Sequence, residues 1–147
     1  MNQRKSLKEL NLLDKFLFDE AMDDPENVKT MLDIILSQNT NLKHPPQTEK
    51  EQRTSTDNRQ IRLDVYAIDE DDVIYEVEAQ KENTHNLPKR SRLYQGIIDS
   101  KLLPPGVVDF NLLNEVLIVM ITPFDLFGYG LYRYTFQMRC EEVPELK

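Results

Sequence analysis

The chain has one cysteine, two histidines and no long apolar run, and each scarcity excludes a class of protein. Cys140 has no partner for an internal disulfide, and with the two histidines it is too few for a closed zinc site built from Cys and His. No run approaches the roughly eighteen apolar residues of a membrane span, and residues 1–9 lack the apolar centre of a signal peptide. The sequence predicts a soluble, cytoplasmic protein, not a membrane protein, in which carboxylates would hold any metal.

Chain length and net charge limit the number of domains and the kinds of binding partner. A chain of 147 residues suits one domain, so a single domain over 1–147 is expected. The net charge of −8 argues, as a bulk property, against non-specific binding of nucleic acid. A DNA interface would therefore need a local basic patch.

Two helices are predicted in the N-terminal third. Between residues 11 and 22 apolar side chains fall on one helical stripe, and a second helix, roughly Pro25 to Gln38, follows a capping aspartate and repeats apolar residues at helical spacing. Residues 39–60 contain two adjacent prolines and almost no apolar residue after Leu42. They predict a long flexible loop, with one edge strand as the alternative.

A β-hairpin with acidic residues on one face is predicted over 61–80. Apolar and polar residues alternate in two segments around an acidic turn. If Ile68 pairs with Ile74, the register places Asp64 opposite Glu78. Like charges at that separation repel, and a divalent cation held by both carboxylates would compensate them. Ordinary surface acids on a solvated strand pair are the alternative, and spacing alone does not decide between the two.

A basic helix, opened near Pro88 and running to Leu103, is predicted next. Its apolar stripe is predicted to be Leu93, Ile97 or Ile98, and Leu102. From residue 81 to 101 there are five basic and two acidic residues. Positive charge just after paired acids is the arrangement that draws a phosphate backbone toward a metal site on an otherwise acidic protein. A solvated basic helix face is the alternative.

The C-terminal third predicts two more strands. Residues 115–122 form a nearly continuous apolar run, as expected of a strand buried on both faces, and 131–138 form the next strand after a glycine turn. Three aromatic residues between them could stack on a base, but packing in the core or the turn is the favoured interpretation. They are Phe124, Phe127 and Tyr129.

An ordered series of segments resembles the PD-(D/E)xK nuclease superfamily. The series is the strand with Asp64, the strand ending Glu78-Ala79-Gln80, and the run from Leu87 to Gln95. More narrowly, it resembles the PD-(D/E)xK nuclease family transposases, or recombination-promoting nucleases. The opening helices and the segment after Phe124 are also similar to that family, and only 39–60 falls outside the resemblance.

The resemblance implies a restriction-endonuclease-like α/β fold, with a mixed central sheet flanked by helices. It implies an endonuclease that hydrolyses DNA phosphodiester bonds with Mg²⁺ or Mn²⁺, associated with transposition or recombination. Asp64, Glu78 and the Ala79 carbonyl would bind the cation, and Gln80 would orient the attacking water. Asp14 is a further candidate acid, with helix capping as the alternative. The DNA contacts would come from the basic helix: Lys89, Arg90, Arg92, Tyr94 and Gln95.

Two departures from the superfamily pattern keep other interpretations open. Gln80 stands in place of the motif's lysine and is neutral, which lowers the expected rate but is usual for this branch. Family members typically continue past residue 147, so a truncated chain is one interpretation of the C-terminus. A catalytically inactive remnant that binds DNA or protein is the competing hypothesis, and a homodimer is compatible with either. A purely structural domain would explain the acidic charge best and the opposed acids worst.

Overall fold

The computed structural model describes residues 11–53 and 60–146. This part is mixed α/β, which confirms the coarse class predicted from the sequence. Within these residues, no helix has the length and apolar character needed to cross a bilayer. The elements in chain order are α1 (Lys15–Met22), α2 (Pro25–Leu36), β1 (Gln47–Arg53), β2 (Gln60–Ile68), β3 (Ile74–Ala79), α3 (Leu87–Leu102), a 3-10 turn (Phe110–Leu112) and β4 (Val116–Ile121).

Capping residues define both ends of α2. Asp24 caps α2 by accepting a hydrogen bond from the Glu26 backbone N–H at 3.0 Å, and Pro25 occupies the first turn, where it removes no helical hydrogen bond. The helix ends at Leu36, and the capping residue Ser37 adopts a left-handed conformation with a φ of 57°. The predicted second helix is therefore confirmed, with its end two residues before Gln38.

The four strands form one mixed sheet in the order β1-β2-β3-β4. β2 pairs antiparallel with both β1 and β3, whereas β4 runs parallel to β3. The parallel pair needs a crossover, and α3 supplies it. The register of β2 and β3 pairs Ile68 with Ile74 and Tyr66 with Glu76, so the predicted hairpin register is confirmed from Val65 to Ile68. The ladder ends at Val65 and does not include the predicted pair of Asp64 with Glu78.

Asp69 holds the acidic turn between β2 and β3. Its carboxylate accepts hydrogen bonds from the backbone N–H groups of Asp71 and Val73 at 3.0 and 2.9 Å, and from the Tyr75 hydroxyl at 2.7 Å. Because the carboxylate gathers these donors from the turn and from β3, it fixes how the two strands enter the hairpin.

Helices cover both faces of the sheet and divide the core into two clusters. On one face, α1 and α2 pack against Val65 and Ala67 of β2 and Tyr75 and Val77 of β3. On the other face, α3 packs against Tyr66 and Ile74. The buried members of the first cluster are Phe18, Met22, Val28, Leu32, Val65, Ala67, Tyr75 and Val77, and those of the second are Leu63, Tyr66, Ile74, Tyr94, Ile97 and Ile98.

The regular alternation of β2 breaks at Asp64. Leu63 and Val65 are two residues apart, yet they belong to the clusters on opposite faces. In the β1–β2 register Glu49 falls opposite Asp64, and Glu49 has a left-handed φ of 52°. The sheet is therefore distorted where Asp64 lies, and this side chain does not follow the face predicted by simple alternation.

Residues 39–60 do not form one long loop. β1 pairs with β2 along its length, so the loop prediction is wrong there and the edge-strand alternative is confirmed. The strand forms without apolar periodicity, because backbone hydrogen bonds to β2 hold it in the sheet. Lys50 adds a side-chain contact, with its ammonium 3.6 Å from the centroid of the Tyr66 ring. Residues 54–59 lie outside the described part of the chain.

The C-terminal strand predictions need two corrections. β4 is half-buried along its whole length and not buried on both faces, because it lies at the edge of the described sheet with β3 alone beside it. Residues 131–138 contain no strand. An alternating sequence forms a strand only where another strand lies beside it and supplies backbone hydrogen bonds. In the described part of the chain, no strand pairs with residues 131–138.

Asp125 organises the segment after β4 into a tight turn. Hydrogen bonds from the Tyr134 hydroxyl and from the backbone N–H groups of Gly130, Gly128 and Phe127 lower the pKa of Asp125 to about 2. The two glycines have φ angles of 75° and 70°, which other residues adopt only with strain. The Phe127 ring packs against Tyr134 with centroids 4.8 Å apart, as the turn-packing interpretation predicts.

Candidate functional site

The acidic residues predicted as ligands meet where β2 and β3 separate. The ladder between the two strands ends at the pair Val65 and Val77, so Asp64 and Glu78 come directly after the last paired residues without pairing in it. The charge of Asp64 nevertheless acts on Glu78. Asp64 Oδ2 accepts a hydrogen bond from the Ala79 backbone N–H at 3.2 Å. The Asp64 side chain therefore connects β2 to the backbone of β3 at the residue after Glu78.

Two buried glutamates lie next to this point on β3. Glu76 is fully buried and Glu78 is 2% exposed, and both belong to the face of the sheet covered by α3. Both oxygens of Glu76 and Oε1 of Glu78 are without a hydrogen-bond partner among the described residues. An uncompensated buried carboxylate is costly, so this cluster requires protons or cations.

The pKa values of the two glutamates reflect this environment. Burial, followed by the charges of Glu78 and Asp64, raises the pKa of Glu76 well above its usual 4.5. Burial and the charge of Asp64 also raise the pKa of Glu78, against the opposing effect of Arg90. Glu76 was not among the predicted site residues. Its position two residues before Glu78, on the same face of an alternating strand, is the signal that could have revealed it.

Arg90 reaches from the first turns of α3 into the acidic cluster. Its Nη2 forms an ion pair with Glu78 Oε2, its Nη1 donates to Gln80 Oε1 at 2.7 Å, and its Nε donates to the Tyr94 hydroxyl at 3.0 Å. Arg90, itself a predicted site residue, thus joins three others: Glu78, Gln80 and Tyr94.

The inner face of α3 explains why Arg90 points inward. The buried residues of the helix are Leu87, Tyr94, Ile97 and Ile98, and position 90 falls on the same helical stripe. Leu93, which was predicted to belong to that stripe, is 41% exposed. The prediction of the stripe is therefore wrong at Leu93. A stripe through Tyr94 would have indicated the inward position of Arg90.

The other predicted DNA contacts lie on the outer surface of α3. Lys89, Arg92 and Gln95 are exposed, and the first two line a shallow open groove beside Gly96. Tyr94, in contrast, is buried below them. The structure therefore divides the five residues into an inner pair at the acids and an outer set facing solvent.

On the opposite side of the sheet, α1 supplies a counter-ion for Asp64. Lys15 Nζ lies 3.2 Å from Asp64 Oδ1, 3.0 Å from Asp19 Oδ2 and 3.5 Å from Glu49 Oε1. Burial opposes the charged form, but the hydrogen bonds and charges of Asp19 and Asp64 raise the pKa of Lys15 above its usual value. Lys15 was not predicted as a site residue, because only the packing of α1 brings it to Asp64.

Asp14 lies just before α1. It occupies the N-cap position but its side chain makes no capping hydrogen bond, and it accepts instead from the Asn11 backbone N–H at 2.9 Å. It also forms an ion pair with Lys81, which follows Gln80 directly. Asp14 is thereby held near the end of β3.

The donor set suits a hard divalent cation that keeps most of its water. In residues 11–53 and 60–146, no cluster of three or more acidic, His or Cys side chains is arranged to hold a metal ion. Mg²⁺ is commonly bound through one or two carboxylates plus waters, and Asp64 and Glu78 offer that number. The buried Oε1 of Glu78, which has no partner, fits such a ligand. In the structure, side-chain cations pair with both carboxylates, Lys15 with Asp64 and Arg90 with Glu78.

Comparison with known proteins adds no family assignment. No family model, curated protein or solved structure matches the chain. The functional proposal therefore depends on the chemistry of the site and on the resemblance seen in the sequence.

Glu76→Gln should stabilise the metal-free protein at neutral pH, because glutamine keeps the shape of the side chain and has no charged form that burial disfavours. The pKa of Glu76 is raised in the folded state, so the stability it contributes is full below the unfolded-state pKa and falls as pH rises through the folded-state pKa. Glutamine does not titrate, so the stability of the variant does not fall with pH for this reason. Its advantage in the free energy of unfolding, measured with urea in EDTA, should grow with pH above about 4.5.

Glu20→Gln, at an exposed position of α1, is the matched control and should show no such trend. Equal stabilities of Glu76→Gln and the wild type across the pH range would contradict an uncompensated charge at this position.

Proposed function

We propose that the chain is a Mg²⁺- or Mn²⁺-dependent endonuclease of restriction-endonuclease-like fold that hydrolyses DNA phosphodiester bonds, in transposition or recombination. The observation that carries the proposal is the meeting of Asp64 and Glu78 at the point where their strands separate. Gln80 comes directly after β3, and a helix with exposed basic residues lies beside it. The sequence resemblance supports the same assignment.

Each site residue has a distinct role in this proposal. Asp64 and Glu78 bind the cation through carboxylate oxygens, with the Ala79 carbonyl as a further ligand. The cation supplies Lewis acidity at the phosphate and lowers the pKa of a bound water. Gln80 orients that water by hydrogen bonding, and because it is neutral it adds no charge stabilisation. The rate is therefore expected to be below that of a site with lysine at this position.

The outer face of α3 is the proposed DNA contact. Lys89 and Arg92 are exposed there, within one helical turn of Arg90, which reaches the acids. One helical turn rises about 5.4 Å, which is shorter than the Debye length of about 8 Å at physiological salt. The two charges therefore act on a phosphate at the site despite the net charge of −8.

A catalytically inactive module that binds DNA or protein is the second candidate. It is favoured by one observation: Lys15 pairs with Asp64 and Arg90 with Glu78, so side chains of the protein itself compensate both carboxylates. A network of this kind can serve folding alone. Cleavage assays separate the two candidates.

The wild-type protein should nick or linearise supercoiled plasmid in Mg²⁺ or Mn²⁺, and Glu78→Gln should lose this activity. Removal of one cation ligand is expected to lower the rate by more than about a hundredfold. Agarose gel assays with and without EDTA measure both effects. Glu70→Gln, at an exposed position, is the charge-matched control and should cut like the wild type.

Cleavage that persists in EDTA or in Glu78→Gln would contradict the proposed mechanism. A wild type that binds DNA without cutting it would favour the inactive module.

Replacing Lys89 and Arg92 together with glutamine should weaken DNA binding and reduce its salt dependence. Each lost phosphate contact lowers the slope of log K against log salt by about 0.9, so the double variant should lose about 1.8. Fluorescence anisotropy in Ca²⁺ over a salt series measures the slope. Lys43→Gln with Arg139→Gln removes the same charge from other exposed positions and should keep the wild-type slope. A slope unchanged in the α3 variant would exclude this helix as the contact.

A further inference from the structure

Arg90 differs from its basic neighbours on α3 in the direction it faces. Lys89 and Arg92 are exposed, whereas the Arg90 side chain is 26% exposed and turned toward β3. Its guanidinium divides its donors among Glu78, Gln80 and Tyr94. These contacts use the planar, forked geometry that distinguishes arginine from lysine.

The groups that Arg90 contacts are those that the proposed reaction needs. Nη2 pairs with Oε2 of Glu78, the proposed cation ligand, and Nη1 holds the amide oxygen of Gln80, which would orient the water. A guanidinium in this place neutralises the carboxylate in the absence of metal. It also occupies a ligand oxygen that a divalent cation would take.

Lys15 is a weaker obstacle to a cation than Arg90. Its ammonium is shared among Asp64, Asp19 and Glu49, and its side chain is 45% exposed. It keeps two partners when it leaves Asp64. Arg90 would give up its ion pair with a carboxylate that is almost fully buried.

We propose, on the basis of the proposed function, that Arg90 is an internal counter-ion that competes with the divalent cation for Glu78. Without metal, the guanidinium holds the acidic cluster together. When a cation binds, Arg90 leaves Glu78 and joins Lys89 and Arg92 on the basic side of α3. The apparent metal affinity is then the intrinsic affinity reduced by the fraction of molecules in which Arg90 has left.

Mn²⁺ binding tests this competition directly, because electron paramagnetic resonance counts the free ion without relying on activity. Arg90→Gln removes the competitor and should bind Mn²⁺ roughly tenfold to a hundredfold more tightly than the wild type, as expected for loss of a charge-assisted pair. Lys101→Gln removes the same charge from the exposed C-terminal turn of the same helix. It should bind within about twofold of the wild type, because roughly 16 Å of helix separates it from Arg90, about twice the Debye length at physiological salt.

Tyr94→Phe provides a second variant that retains the arginine. It deletes the hydroxyl that accepts from Arg90 Nε, so the guanidinium is less firmly held and Mn²⁺ should bind roughly threefold more tightly. This variant keeps the aromatic packing of α3. It therefore tests the proposal even if Arg90→Gln does not fold without metal.

Three results would overturn the proposal. Equal Mn²⁺ affinity in the wild type, Arg90→Gln, Tyr94→Phe and Lys101→Gln would show a cation site with which Arg90 does not compete, and the proposed function would stand. Weaker binding in Arg90→Gln would assign Arg90 a supporting role instead. Absence of Mn²⁺ binding in all four proteins would overturn the proposed function as well.

Discussion

Crowding of carboxylates inside the sheet is the constraint on which the rest of the site depends. Glu76 and Glu78 are buried on β3, and Asp64 joins them across the gap where β2 separates. Like charges in a low-dielectric interior repel strongly, so this cluster persists only with compensation. The chain supplies it from both faces of the sheet, through Lys15 of α1 and Arg90 of α3.

This compensation links the stability of the fold to the chemistry of the site. Removing one partner of a buried ion pair such as Arg90–Glu78 typically costs about 3–5 kcal/mol, a large share of the stability of a small domain. The Lys15–Asp64 pair is more exposed and contributes less. The same two cations occupy the carboxylates that the proposed metal requires. A metal-dependent activity would therefore replace the side-chain cations at the carboxylates with a divalent metal ion. The ion pairs that stabilise the protein without metal would then lower its affinity for the metal.

Local signals in the sequence predicted α2 and the register of β2 with β3. A capping aspartate, a proline in the first turn and a short acidic turn each act over a few residues, so no tertiary information was needed. β1 could not be predicted with the same clarity, because a polar edge strand is held by its neighbour's backbone. For the same reason the alternation in 131–138 predicted a strand that the structure does not form there.

The candidate site was predictable in its ligands but not in their counter-ions. Glu78 follows from strand alternation, and Asp64 lies near it although β2 departs from alternation there. The approach of Lys15 and Arg90 depends on how α1 and α3 pack on the sheet. Basic charge along α3 says nothing about which residues face inward. Only the helical phase set by Tyr94 and Ile97 reveals that.

The most direct measurement is the anomalous scattering of Mn²⁺ in soaked crystals. The account predicts a peak between Asp64 and Glu78, at roughly 2.1 Å from a carboxylate oxygen of each, with the Arg90 guanidinium turned away from Glu78. No peak at saturating Mn²⁺, with Arg90 still paired with Glu78, would contradict it.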